Sequence, residues 1–145
     1  MDFFSSMRIS ASGLNAQQTR MNTISSNLAN AETAQTEEGG PYKRQDPIIQ
    51  AQPDRETFGE ILQNRMDESA QGVQVTEIHR DEKPPRMVYN PNHPLANAEG
   101  YVAMPNVNPV EEMANMISAQ RAYEANVTAL NAAKSMAGKA LEIGK

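Results

Sequence analysis

The side chains that most often do chemistry in proteins are scarce in this sequence. Two histidines occur, His79 and His93, and each lies in a charged or proline-rich stretch with no second histidine nearby. A histidine serves as a metal ligand or general base when further ligands or an orienting group stand beside it. Neither histidine has such a neighbour in the sequence, so we interpret both as solvated loop residues.

Two acidic pairs, Glu37-Glu38 and Asp81-Glu82, are the remaining candidates for acid–base chemistry. Both pairs fall in predicted loops, where surface solvation explains them better. Cysteine is absent, which excludes a disulfide, a thiolate metal site and a cysteine nucleophile, and there is no phosphate-binding glycine motif. We therefore predict no catalytic residue, no metal site and no cofactor, and we do not expect an enzyme.

Regular spacing at the two ends of the chain is the strongest pattern. Apolar residues recur every seven positions, at Met7, Leu14, Met21 and Leu28 and again at Met116, Tyr123, Leu130 and Ala137. Seven residues are close to two helical turns, so each set forms one stripe along a long helix. We predict one helix from about Phe3 to about Ala31. We predict a second with Asn108 as its N-cap and Pro109 as its first residue, continuing to about Leu141.

A long helix with an apolar stripe and few charges is typical of a subunit that packs against other chains. The candidate assembly residues are Met7, Leu14, Met21, Ile24, Leu28, Met113, Met116, Tyr123, Val127, Leu130, Ala137 and Leu141. The alternative is that the two helical arms pair with each other in one monomer. Gly13 leaves a similar choice open: it marks the close approach of another backbone, or it is merely tolerated inside the helix.

The middle of the chain predicts turns and short strands. Candidate strands are Gly72–Val75 with Ile78 continuing the pattern, Arg86–Tyr89 and Gly100–Met104, with prolines between them. Phe58, Ile61, Leu62 and Met66 have helical spacing, which indicates either a short helix or part of a mobile insertion. The predicted fold is mainly α, with a small β-containing middle and two long terminal helices that form a coiled-coil-like arm. The predicted parts are 1–35, 36–107 and 108–145.

The charge distribution separates the ends from the middle. The net charge of −5 lies between the arms, where 12 acidic and 7 basic residues occur, while each arm is neutral. A surface with few charges can be covered by neighbours without stranding ions in an interface. Aromatic residues make up only 5% of the chain, so a monomer would bury only a small core. Because we also expect the arms to lack a partner within the chain, we expect the chain to take its stability from other subunits.

Several classes of partner are disfavoured by the sequence. The acidic net charge gives no electrostatic case for nucleic acid or an anionic membrane. No apolar run approaches the roughly 20 residues of a membrane span, and the start MDFFSSMRIS does not have the pattern of a cleaved signal peptide. We expect no nucleic acid, no small-molecule substrate and no direct lipid anchor.

Three segments near the start resemble a known signature. Ser12–Gln17, Arg20–Asn22 and Ser26–Ala31 are similar to the N-terminal signature of the flagellar rod and hook protein family. Later residues resemble the proximal rod members of that family: Gly40–Tyr42, Tyr89–Ala96, Gly100–Val102, Met104–Val107 and a series from Glu112 to Met136. The segment from about Asp46 to Gly72 departs from the family by being longer.

The resemblance implies a structural subunit of the proximal rod in the bacterial flagellar basal body. Such a subunit polymerises through its terminal helices into part of the drive shaft that transmits torque from the motor to the hook. The implied partners are copies of itself, other rod subunits and the flagellar type III export apparatus. The implied location is the periplasmic rod, reached without a cleaved signal peptide.

The resemblance also places the export information near the start, where Phe3, Phe4 and Met7 form an apolar cluster. Another rod subunit is the nearest alternative identity. A helical export chaperone or adaptor of the same secretion system is an alternative of a different class. It predicts a strongly charged helix surface, which the first arm lacks.

Overall fold

A computed structural model describes residues 3–51 and 71–143 of the chain. Two long helices flank four short strands in sequence order: α1 (Phe3–Ala29), β1 (Gln45–Ala51), β2 (Val73–Arg80), β3 (Arg86–Tyr89), β4 (Tyr101–Met104) and α2 (Pro109–Ile143). This confirms the predicted fold class. Neither helix in the described part of the chain is both long and apolar enough to cross a bilayer.

The start of α2 confirms the predicted cap. The Asn108 side-chain oxygen accepts a hydrogen bond from the N–H of Val110 at 3.1 Å, and its carbonyl accepts one from Glu112 at 3.0 Å. Pro109 is the first helical residue, where its missing N–H costs nothing. The helix has 35 residues and is therefore about 52 Å long, and it ends two residues beyond the expected Leu141.

The strands form two separate two-stranded sheets, β1 with β2 and β3 with β4. The β3–β4 hairpin is antiparallel with Val88 opposite Val102 and Tyr89 opposite Tyr101, which confirms both predicted strands. Strand β1 was not predicted, because Pro47 interrupts its pattern. A two-stranded sheet has only edge strands, where a proline without an N–H is tolerated.

One expectation about the middle of the chain is wrong in part, and another lies outside the described residues. His79 lies in β2 rather than in a loop, although its side chain is exposed as expected. The patch from Phe58 to Met66 lies outside the described residues. The division of the chain into three parts stays a prediction.

The chain divides into two compact units, and each contains a part of both helices. The first unit combines α1 up to Thr19 with α2 from Ala119, and it buries Ala16 and Ala133. The second combines Arg20–Ile48 with Glu77–Ser118, and it buries Ile24, Val102 and Val107. Each helix segment thus has a partner within the chain. The expectation that the arms lack an internal partner is wrong, because small seam residues let them pack closely.

Candidate assembly site

A buried polar cluster in the second unit joins the end of α1, the segment after it and the first turn of α2. We call Asn27, Tyr42, Arg44, Gln45 and Glu112 the clamp. The Asn27 amide nitrogen donates to Gln45 O at 2.7 Å and to Glu112 Oε2 at 3.0 Å. Its oxygen accepts hydrogen bonds from Gln45 N at 2.9 Å and Tyr42 OH at 3.0 Å. With no exposed surface and four hydrogen bonds, Asn27 has its full hydrogen-bonding capacity satisfied.

Glu112 is the charged member of the clamp and is only 1% exposed. Arg44 Nε donates to Glu112 Oε1 at 2.8 Å, while Asp46 lies 3.5 Å from Arg44 Nη1. Burial works to lower the pKa of Arg44, but the hydrogen bond and charge of Glu112, followed by Asp46, outweigh it and raise the pKa above its ordinary value. Each carboxylate oxygen of Glu112 accepts a hydrogen bond, as a buried charge requires.

In the first unit, individual contacts join α1 to α2 and α1 to β2. A Cβ atom added at Gly13 would lie 3.1 Å from both the Nδ2 and Oδ1 atoms of Asn126, so this glycine lets α2 approach closely. Of the two possibilities that the sequence left open, the structure shows a close approach, although the nearest neighbour is a side chain and not a backbone. Asn126 itself bonds back to Ala122 O at 2.9 Å, and Ser12 Oγ accepts a hydrogen bond from Val73 N at 3.0 Å.

Most of the helix residues that pack inside the chain are small or polar, with Ile24 as the large apolar exception. On α2, Glu112, Ala119 and Ala133 are buried, and they share a seven-residue spacing with Asn126. On α1 the buried residues are Ala16, Thr23, Ile24 and Asn27, with Ala31 just beyond the helix. The heptad periodicity was therefore correct, but the inward position belongs to neighbouring residues. Small side chains allow close packing, which leaves the Met and Leu stripes at the flanks.

The twelve candidate assembly residues are divided by their exposure. Ile24 is buried, and three are exposed: Leu28, Met113 and Leu141. The others are half-buried: Met7, Leu14, Met21, Met116, Tyr123, Val127, Leu130 and Ala137. Of the export candidates, Phe3 begins α1, Phe4 is exposed and Met7 is half-buried. Their participation in assembly or export stays a prediction.

Sequence reasoning missed several residues that the structure brings forward. Val110 and Ile117 are large, apolar and 70% and 53% exposed, and they share a face of α2 with Met113. They lie outside the heptad stripe, so periodicity did not select them. Asn27 and Glu112 are polar and lie outside the apolar stripes as well, so periodicity did not select them either. The signal available for both was their place inside the segments that resemble the flagellar rod proteins.

The residues considered for catalysis have surface roles where the structure describes them. Glu38 pairs with Arg80 at 2.8 Å, and both side chains are mostly exposed. The Asp81 carboxylate accepts a hydrogen bond from Lys83 N at 3.0 Å, which is the main cause that lowers its pKa. His93 Nδ1 accepts a hydrogen bond from Leu95 N at 3.1 Å in the hairpin loop. Within residues 3–51 and 71–143, no three acidic or histidine side chains cluster to hold a metal ion.

Comparison with known proteins assigns two parts of the chain to flagellar families. Residues 7–34 match the family described as flagella basal body rod protein. Residues 98–143 match the family described as the C-terminal region of the flagellar basal body rod FlgEFG proteins. Asn27 lies in the first match and Glu112 in the second, so the clamp joins the two matched regions.

Full-length relatives are similar along the whole chain. The flagellar basal-body rod protein FlgC of Bacillus subtilis is 47% identical to this chain, and the similarity extends over 100% of both chains. The protein of the same name from Borreliella burgdorferi is 44% identical over 99% of this chain and 98% of its own. That from Aquifex aeolicus is 40% identical over 100% of this chain and 99% of its own.

Proposed function

This chain belongs to the FlgC family of flagellar basal-body rod proteins and is a structural subunit of the rod, and we propose that it polymerises into the proximal rod. In this proposal it assembles with copies of itself and with other rod subunits through its terminal helices. The resulting rod is part of the drive shaft that transmits torque from the motor to the hook. None of the relatives compared supports the alternative of an export chaperone.

Large apolar side chains that the fold leaves exposed carry this proposal. Val110, Ile117 and Leu141 on α2 all have more than half of their surface exposed. Val110 and Ile117 share one helix face with Met113, which is 48% exposed, and an apolar face of this kind marks a surface that a partner covers. Apart from Ile24, the buried helix positions hold small or polar residues, so these exposed apolar side chains remain available to neighbouring subunits.

The clamp suits the mechanical part of the proposal. A subunit that transmits torque must resist sliding of one helix past the other within its own fold. The Asn27–Glu112 hydrogen bond joins residues 85 positions apart, and a shift of one helical turn would break it and strand the Glu112 charge. Buried polar networks of this kind fix one register, which a purely apolar seam does less well.

We further propose that the chain is exported by the flagellar type III apparatus without a cleaved signal peptide and acts in the periplasm. The proposed role requires no enzyme activity, cofactor, small-molecule substrate, nucleic acid or direct lipid anchor. Its support is the family membership, since the relatives are named as rod proteins.

Purified basal bodies provide the test. In a strain that lacks the gene, the wild-type chain should restore motility, and cryo-electron microscopy should show density for it in the proximal rod. Deletion of residues 2–8 should keep the chain in the cytoplasm, whereas deletion of residues 55–70 should leave export intact. Normal export of the first deletion variant would refute the proposed export signal. Absence of the wild-type chain from basal bodies would refute the proposed role.

A further inference from the structure

The loop that joins β3 to β4, residues 90–100, is closed by hydrogen bonds at its base and at its tip. At the base, Asn90 N donates to Gly100 O at 2.9 Å. At the tip, His93 N donates to Asn90 O at 3.2 Å, and Ala96 N donates to His93 O at 3.0 Å. The tip therefore consists of two successive turns that meet at His93.

The His93 ring takes part in the second of these turns as a hydrogen-bond acceptor. Its Nδ1 atom accepts a hydrogen bond from Leu95 N at 3.1 Å. A ring nitrogen accepts only while it has no proton, so this bond requires the neutral imidazole with its proton on Nε2. Asn97 has the matching arrangement later in the loop, where its Oδ1 atom accepts from Glu99 N at 3.0 Å. An amide oxygen does not titrate, so only the histidine bond depends on acidity.

Few charges surround His93, which is half-buried. Glu99 is the other titratable side chain of the loop, and it is exposed. The adjoining strands add Arg86, at the far end of β3, and the phenols of Tyr89 and Tyr101. Tyrosine ordinarily ionises near about pH 10. Among the residues that the structure describes, no carboxylate forms an ion pair with His93, so the acidity of the solution decides the state of its ring.

We propose that residues 93–96 form an acid-sensitive turn, which is ordered while the His93 ring is neutral and opens when Nδ1 takes up a proton. Both ring nitrogens of a protonated histidine are donors, so the new N–H would face the N–H of Leu95. Histidine ordinarily changes its charge between about pH 8 and about pH 5. The bond is therefore present at the upper end of this range and lost toward the lower end.

The opening is local, because the bonds at the base of the loop do not involve the His93 ring. Asn97 N donates to Tyr101 O at 2.9 Å, and Asn97 Oδ1 accepts from Tyr101 N at 2.8 Å. Acid thus changes the surface around Leu95, which is 42% exposed, while the hairpin stays closed. This switch is a property of the chain itself and does not depend on the proposed rod function.

Nuclear magnetic resonance on the purified full chain tests the turn at about pH 7.5 and about pH 5. At the higher pH, the nitrogen shifts of the His93 ring should show the tautomer with its proton on Nε2. The amide-exchange protection of Leu95, corrected for the intrinsic effect of pH, should fall roughly two- to tenfold at the lower pH, as expected for the loss of one hydrogen bond. The protection of Tyr101 N should not change, and it serves as the internal control.

Two variants separate the His93 ring from other effects of acid. His93→Asn keeps a side-chain oxygen that accepts from the N–H two residues ahead, so the protection of Leu95 should become independent of pH. His79→Asn removes the other histidine, which is exposed on β2, and should leave the response of Leu95 intact. Equal protection of Leu95 at both pH values in the natural chain would overturn the inference. An Nδ1–H tautomer at the higher pH, or the same fall in His93→Asn, would overturn it as well.

Discussion

A single asparagine, Asn27, connects three segments of the second unit. Its side-chain amide pairs with the backbone of Gln45, accepting a hydrogen bond from the N–H and donating one to the carbonyl, as another backbone would. The same amide donates to the buried carboxylate of Glu112. The residue therefore satisfies groups that burial would otherwise leave unpaired, and its contribution comes largely from preventing that cost.

We expect Asn27→Ala to lower the free energy of unfolding by about 3–5 kcal/mol, because it leaves two backbone groups and part of a buried carboxylate without partners. The matched control is Asn22→Ala, an exposed asparagine on the same helix, which should have little effect. Urea unfolding of both purified chains, followed by circular dichroism, measures the difference. Equal midpoints would show that the clamp does not stabilise the fold.

The pair Gly13 and Asn126 gives a prediction in the first unit. Alanine at position 13 gains helix propensity of about 1 kcal/mol, but its Cβ would lie 3.1 Å from two atoms of the Asn126 side chain. Because Asn126 is held by Ala122 O, we expect the steric cost to exceed the gain, so Gly13→Ala should destabilise the chain. The double variant with Asn126→Ala should be more stable than Gly13→Ala alone. Thermal unfolding tests this, and a stabilised single variant would contradict it.

At the scale of elements, the buried and the exposed positions of the two helices hold different types of side chain. Most of their inner positions hold small or hydrogen-bonded residues, which let the backbones approach closely, and Ile24 is the large apolar exception. Their flanks and outer faces hold the large apolar side chains, as at Ile117 and Leu141. The hairpin shows the same division, with Val102 inside and Tyr89 outside. Each element is thus apolar on more than the side that its own chain covers.

The beginning of α2 depends on its cap, and this supplies a prediction for the element. Asn108→Ala removes the acceptor for Val110 N and should lower stability by about 1 kcal/mol, whereas Asn108→Asp should retain most of it. Asn115→Ala, inside the same helix, is the control and should be neutral or slightly stabilising. Chemical denaturation of the three variants compares them. A loss for Asn115→Ala as large as that for Asn108→Ala would argue against the cap.

At the scale of the whole molecule, polarity is divided between the ends and the middle. The arms are neutral, while the region between them has the net charge of −5. Exposed apolar side chains occur on α2 and on the hairpin. Such a chain can fold with internal partners and still leave apolar surface for its neighbours, so stability of the monomer and assembly of the polymer are separable properties.

That separation predicts a variant that folds but does not assemble. Leu141→Asp changes a side chain that is 77% exposed, so its unfolding midpoint should match that of the natural chain. In cells we expect normal export, no complete rod and loss of motility, since a carboxylate would be buried at each subunit contact. Lys139→Asp places the same charge on a nearby exposed position and should be milder.

Swimming in soft agar and immunoblots of the culture medium measure the outcome for both Leu141→Asp and Lys139→Asp. A motile Leu141→Asp strain would show that the end of α2 is not covered in the rod. Leu130→Asp is less informative, because Leu130 is half-buried inside its own chain and the substitution would disturb the fold as well.

The sequence by itself determined the two helices, the cap at Asn108 and the strands β3 and β4. These features depend on local patterns: a seven-residue period, an N-cap followed by proline, and short apolar runs between turn residues. The same residues also supported the resemblance to the rod family, and the relatives confirm it. Local chemistry was sufficient because neighbours along the chain decide these elements.

Only the tertiary structure decided which helix positions face inward, what contacts Gly13 and how Asn27 and Glu112 are satisfied. The clamp joins residues 27, 42, 44, 45 and 112, and no local pattern relates positions so far apart. Strand β1 likewise depends on its pairing with β2, which outweighs the unfavourable Pro47. Burial of an asparagine or a glutamate is favourable only when distant partners arrive at hydrogen-bonding distance, and that condition is set by the packed fold.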